Sequence, residues 1–164
     1  MSSNNKDNGK IPSDYISMLI NGDQGVYCNA TIQALRNSGA KRSIINAVKK
    51  AEGDLAISRI LIDADRFDVL VKVFKQTDSY IVLEDYIIKK DYDIDVKLNQ
   101  ELADIDAEFC ETLNSLGRVP DANHSIYKKF EEKRDKRYEK ARNKSEEFHN
   151  IIYAKYNRAC GRKY

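Results

Sequence analysis

The chain has 164 residues, 41% of them hydrophobic and 33% charged, with 28 basic against 26 acidic side chains for a net charge of +2. No apolar run approaches the roughly 18 residues of a membrane-spanning helix, and the first ten residues lack the apolar stretch of a secretory leader. Three widely spaced cysteines, Cys28, Cys110 and Cys160, read as free thiols of a reducing compartment, so the expectation is one soluble cytoplasmic domain with no membrane partner.

Residues 1–12 read as a disordered tail, 13–117 as a helical body and 118–164 as a long basic C-terminal helix. Ser13 is placed to cap a short helix carrying Tyr15, Ile16, Leu19 and Ile20 inward, which the segment Asn21 to Gly25 then breaks. A second helix is predicted from about Tyr27 to Asn37, with Ile32 and Leu35 inward, closed by Ser38-Gly39. A third runs from about Lys41 to Glu52 on a stripe of Ile44, Ile45 and Val48, with Gly53 free to take a left-handed backbone.

Beyond Gly53, Ile57, Ile60, Leu61, Ala64, Phe67, Leu70, Val71 and Phe74 recur at steps of three and four. That spacing predicts one helix, or two broken near Asp63 to Asp65. A competing pattern overlaps it: Phe67, Val69, Val71 and Val73 alternate, as do Tyr92, Ile94, Val96 and Leu98 with polar neighbours. An α+β fold with a short meander through 67–98 is therefore the alternative to an all-α bundle. From about Asn99 to Leu116, Leu102, Ile105, Phe109 and Leu113 again share a helical face, and Gly117 ends it.

A final helix capped by Ser125 and lasting to Asn157 would rise about 48 Å, against roughly 40 Å for a compact globule of this length. Its apolar positions, Ile126 and Phe130 at one end and Phe148, Ile151, Ile152 and Tyr156 at the other, leave a solvated middle. It is expected to protrude or to dock on a second subunit, making 125–157 the candidate homo-oligomer contact. Charge is segregated along the chain: residues 1–53 sum to +3, 54–117 to −8 and 118–164 to +7. An acidic middle between basic ends suits either contact with a polyanion or internal pairing.

Catalytic and cofactor motifs do not assemble. His124 and His149 stand at no dyad spacing from a cysteine or carboxylate, and Cys110, His124, His149 and Cys160 lack the close ligand pairs of a zinc site. The run Asp91, Asp93, Asp95 begins like a calcium loop but meets Val96 where glycine is needed and Leu102 where glutamate is needed. Tyr27 to Leu35, YCNATIQAL, resembles the tail of the cysteine box of ubiquitin-specific proteases when aligned on Tyr27, Asn29 and Gln33, with Val26 in the nucleophile's place and no Gly-His-Tyr motif elsewhere. The expectation is a non-enzyme with no cofactor and no metal.

The strongest local pattern is Asn29 to Glu52, NATIQALRNSGAKRSIINAVKKAE. It resembles a helix-turn-helix of the kind found in phage small terminases and many regulators. Ala34 or Leu35 takes the small-residue place of the first helix, Gly39 the turn, and Ile45 and Val48 the inner face of the second. The resemblance implies a DNA-binding protein of phage or mobile-element type. Lys41 to Glu52 is then the recognition helix, with Arg42, Ser43 and Asn46 at base edges and Arg36, Lys41, Lys49 and Lys50 on phosphates. The alternative is a protein–protein module, an inhibitor or adaptor, whose charged faces meet a protein partner.

Overall fold

The computed structural model describes residues 26–162; the expected tail over 1–12 and the helix capped by Ser13 lie outside the described residues. Those residues form six helices and no strand: α1 Cys28–Asn37, α2 Arg42–Lys50, α3 Asp54–Asp63, α4 Phe67–Val73, α5 Gln76–Ser115 and α6 Ser125–Ala159. The all-α reading holds, and the meander over 67–98 is corrected. Residues spaced by two include pairs spaced by four, so Ile94 and Leu98 share one helical face, half-buried, while Tyr92 and Val96 share another, exposed. No helix among the described residues is long and apolar enough to cross a membrane.

The described residues divide into two compact units, 26–86 with 155–162, and Ile87–Ala154. The boundaries fall inside α5 and α6, not at the glycines that the sequence offers as punctuation.

In the first unit, α1 packs on α2 and α4, α2 on α3, and α3 on α4. The core is a set of aliphatic side chains at helical spacing: Leu35 from α1, Val48 from α2, Ile57 and Leu61 from α3 and Leu70 from α4 are all 0% exposed. Burial of each contributes about 1.5–3 kcal/mol. The turn after α1 is a Schellman motif: Ala40 N–H bonds Leu35 C=O at 3.0 Å, Gly39 N–H bonds Arg36 C=O at 3.1 Å, and Gly39 has φ +68°. The same motif separates α3 from α4, with Arg66 N–H on Leu61 C=O and Asp65 N–H on Ile62 C=O. There Asp65 holds the left-handed position at φ 58°, where aspartate is among the few tolerated side chains. Gly53 has a positive φ of 92°, yet with ψ 167° it begins α3 and does not close α2.

The second unit is an antiparallel hairpin of α5 and α6. Ile105, Ile126 and Phe130 form its buried cluster near the connection, with Phe109, Leu113 and Tyr127 packed against it. Phe109 and Phe130 lie 5.0 Å apart between ring centroids. Lys133–Glu108 at 2.9 Å and Arg134–Asp106 at 3.0 Å bridge the helices across the exposed surface. The start of α6 corrects an expectation: the His124 ring, not Ser125, caps it, with Nδ1 accepting the Ile126 N–H at 3.1 Å. The stripe on α6 also needs correcting, since Ile152 and Tyr156 are buried while Ile151 is 46% exposed.

Candidate nucleic-acid interface

Which faces of α2 meet water follows from its two inward anchors. Ile45 and Val48 are buried three residues apart. Arg42, Asn46 and Lys49, at steps of four and three, therefore share one exposed flank, and Ser43, Asn46 and Lys50 share the outer face. Asn46 belongs to both. Of the two residues offered for the small-residue place in the first helix, Leu35 is fully buried and Ala34 is half-buried.

All seven residues expected to meet DNA, Arg36, Lys41, Arg42, Ser43, Asn46, Lys49 and Lys50, are exposed. Arg36, Arg42, Asn46 and Lys49 come together with Ala40 and Ile45 around one surface concavity of about 670 Å³. Lys41, Ser43 and Lys50 are exposed outside it. No carboxylate lines this concavity, and Glu52 is the one acidic residue between Val26 and Gly53, against five cations. No side chain caps α2 and no acidic residue sits in its first turn, so its positive dipole end is left uncompensated. Arg36 lies in the last turn of α1, and Lys49 and Lys50 in that of α2, where cations are favoured.

Neighbouring charge is committed elsewhere. Arg66 reaches the elbow through Nη2, donating to Ser38 Oγ at 2.7 Å, and it donates to both Asp68 oxygens at 3.0 Å. The hydrogen bonds with Asp68 hold the Arg66 guanidinium above its ordinary value, and those with Arg66 pull the Asp68 carboxyl below its own. Arg66 is thus part of the scaffold behind the turn.

The hairpin holds a convergence that sequence reasoning missed. Asp91 accepts from Ser145 Oγ at 2.7 Å through one oxygen and lies 2.6 Å from His149 Nε2 through the other. These three line a second concavity of about 560 Å³ with Asp95, Tyr138 and Arg142 among its other walls. Ser145 and His149 both engage the carboxylate, so Asp91 anchors them and the arrangement is not a serine–histidine relay. Separations of 54 and 58 residues hide this cluster from any local motif. Among the described residues no three His, Cys, Asp or Glu side chains converge as a metal cage, and Cys28, Cys110 and Cys160 are free thiols.

No family model, curated protein or solved structure matches the chain.

Proposed function

We propose that this protein binds duplex DNA without catalysis, laying α2 in the major groove as a helix-turn-helix of phage or mobile-element type. The observation that supports it is the acid-free concavity shared by Arg36, Arg42, Asn46 and Lys49. Arg42 brings the planar fork that suits guanine O6 and N7, Asn46 the amide that suits adenine, and Ser43 a hydroxyl that serves either, each good bidentate contact discriminating by about 1–3 kcal/mol. Arg36, Lys41, Lys49 and Lys50 supply phosphate contacts, which set register and affinity. The segment 125–157 serves assembly of copies or further phosphate contact.

Fluorescence anisotropy on labelled duplex tests this. The native chain should bind at low salt with an affinity falling by about 0.9 log units per log unit of salt for each phosphate neutralised. Lys41→Ala with Arg42→Ala should weaken it at least tenfold. No binding at low salt rejects the reading, and unchanged binding by the double variant moves the site off α2.

A protein-binding module, inhibitor or adaptor, is the second reading. It draws on the exposed Ile88, Tyr92 and Val96 of α5, which are 63%, 67% and 47% accessible.

A further inference from the structure

Two surfaces belong to the Ile87–Ala154 unit and include no residue of α1 or α2. The first is a ridge on α5. Ile88, Tyr92 and Val96 continue into Asn99, Ala103, Ala107 and Cys110, all exposed. Steps of four, four and three repeat twice, a period of about 3.67 residues per turn that keeps the row on one side of the helix. Exposed Asp95, Asp104 and Glu111 flank it, with Lys89 the neighbouring cation.

The second surface is a groove between α5 and α6. Two concavities of about 350 and 340 Å³ adjoin a smaller one of about 30 Å³, which shares Arg137 and Lys140 with the first and Ile94, Lys97 and Lys144 with the second. Lys97, Lys133, Lys136, Arg137, Lys140 and Lys144 stand along it. Ile94, Leu98, Ile105 and Phe148 supply its apolar surface. Asp93, Glu101 and Glu108 are its carboxylates, and Glu108 is already held by Lys133 at 2.9 Å, which draws its carboxyl below the ordinary value. Between Lys133 and Phe148 the helix rises about 22 Å, four turns. None of the ridge residues lines the groove.

We propose that the groove of one copy receives the α5 ridge of a second copy. Asn99 aside, the ridge is apolar and flanked by carboxylates; the groove has an apolar floor and is lined by excess cations. Ridge against ridge would set carboxylates against carboxylates, which is costly. A nucleic-acid strand would leave the apolar surface unmatched and meet three carboxylates. Because the two surfaces differ, the contact is heterologous: the end copies of an open assembly keep one unused ridge and one unused groove, and assembly passes the dimer unless a ring closes. This gives the assembly role proposed for 125–157 a partner surface, and it does not involve α1 or α2.

Light scattering of the full chain without nucleic acid is the test. The native protein should exceed the monomer mass of 18.9 kDa as concentration rises, and added salt should lower that mass. Tyr92→Glu with Val96→Glu removes the ridge, and Lys136→Glu with Lys140→Glu removes the groove; each variant alone should be monomeric. Mixed, they should form a heterodimer and stop there, because one supplies the only intact groove and the other the only intact ridge. A native monomer at every concentration overturns the proposal, as does a mixture that stays monomeric. So does a groove variant that assembles normally while losing DNA affinity, since nucleic acid would then occupy the groove. Circular dichroism checks folding; should a charge reversal unfold the chain, Tyr92→Ser and Lys136→Gln with Lys140→Gln replace it. DNA affinity is read separately by anisotropy, so assembly and DNA binding fail independently.

Discussion

The Tyr156 hydroxyl, near the end of α6, lies 2.8 Å from the Ser79 hydroxyl in the first turn of α5, and both residues are buried across 77 positions of sequence. Ser79 donates its own proton to the Gln76 carbonyl at 2.9 Å, so Tyr156 is the donor of the pair. The bond fastens the last turns of α6 into the first unit. Tyr156→Phe should cost about 1 kcal/mol by losing one net hydrogen bond. Tyr156→Ala, which also empties ring volume, should cost about 3–5 kcal/mol. Urea unfolding measures both, and equal costs would mean that the ring contributes nothing to packing.

Asp54 is a buried carboxylate at the start of α3 that accepts N–H bonds from Val26 at 3.0 Å and Tyr27 at 3.1 Å, fixing the entry to α1. Tyr27 is held further by stacking on Phe74 at 4.2 Å and by its hydroxyl donating to Asp78. Asp54→Ala leaves the buried Tyr27 amide unsatisfied and should destabilise the fold by about 1–3 kcal/mol. Hydrogen exchange should locate the loss in the first turn of α1. Uniform acceleration across all helices would contradict this placement.

Thr31 points the other way. It is 0% exposed on α1, and its hydroxyl has no hydrogen-bond partner among the described residues. Thr31→Val removes a buried polar group that is left unpaired, so stability should rise, by up to about 1 kcal/mol. A lower denaturation midpoint would show that the hydroxyl is satisfied in solution.

Three buried tyrosines set an alkaline limit. Burial raises the phenols of Tyr27, Tyr86 and Tyr156 above their ordinary value of 10.0; hydrogen bonds to Asp78 and Asp63 add to it for Tyr27 and Tyr86. The folded chain therefore holds these protons more tightly than the unfolded chain. The stability they contribute is fully present below pH 10 and is lost as pH climbs through the folded values. Thermal unfolding followed by tyrosinate absorbance should show a midpoint that falls above pH 10. Tyr86→Phe, which removes the 2.5 Å bond to Asp63, should flatten that fall.

What the sequence made legible follows from where polar residues sit. The α1–α2 unit was readable because Ser38-Gly39 marks the turn and because Ile45 and Val48 fix which way Arg42 and Asn46 point. Thr31, Asp54, Ser58 and Ser79 were not, since a polar residue in the core looks like one on the surface in the sequence, and the partners of Asp54 and Ser79 lie far along the chain. The continuity of α5 was hidden by alternation between Tyr92 and Leu98 that suits both a strand and two helical faces. Asp91 and His149 meet only because two long helices pair in antiparallel register, which no local spacing encodes.

The proposed DNA contact assigns base reading and phosphate contact to different residues of α2. Asn46 and Lys49 line the same concavity three residues apart, yet an amide and an ammonium do different work on a duplex. Lys49→Ala should weaken binding uniformly across sequences and lower the salt slope by about 0.9, because one fewer counterion is released. Asn46→Ala should leave the slope unchanged and cost about 1–3 kcal/mol of discrimination at a single adenine, flattening preference there and nowhere else. A panel of duplexes titrated at several salt concentrations measures slope and preference together. If both substitutions change only the slope, α2 lies on the backbone and reads no bases; if neither changes either quantity, the duplex is held by another surface.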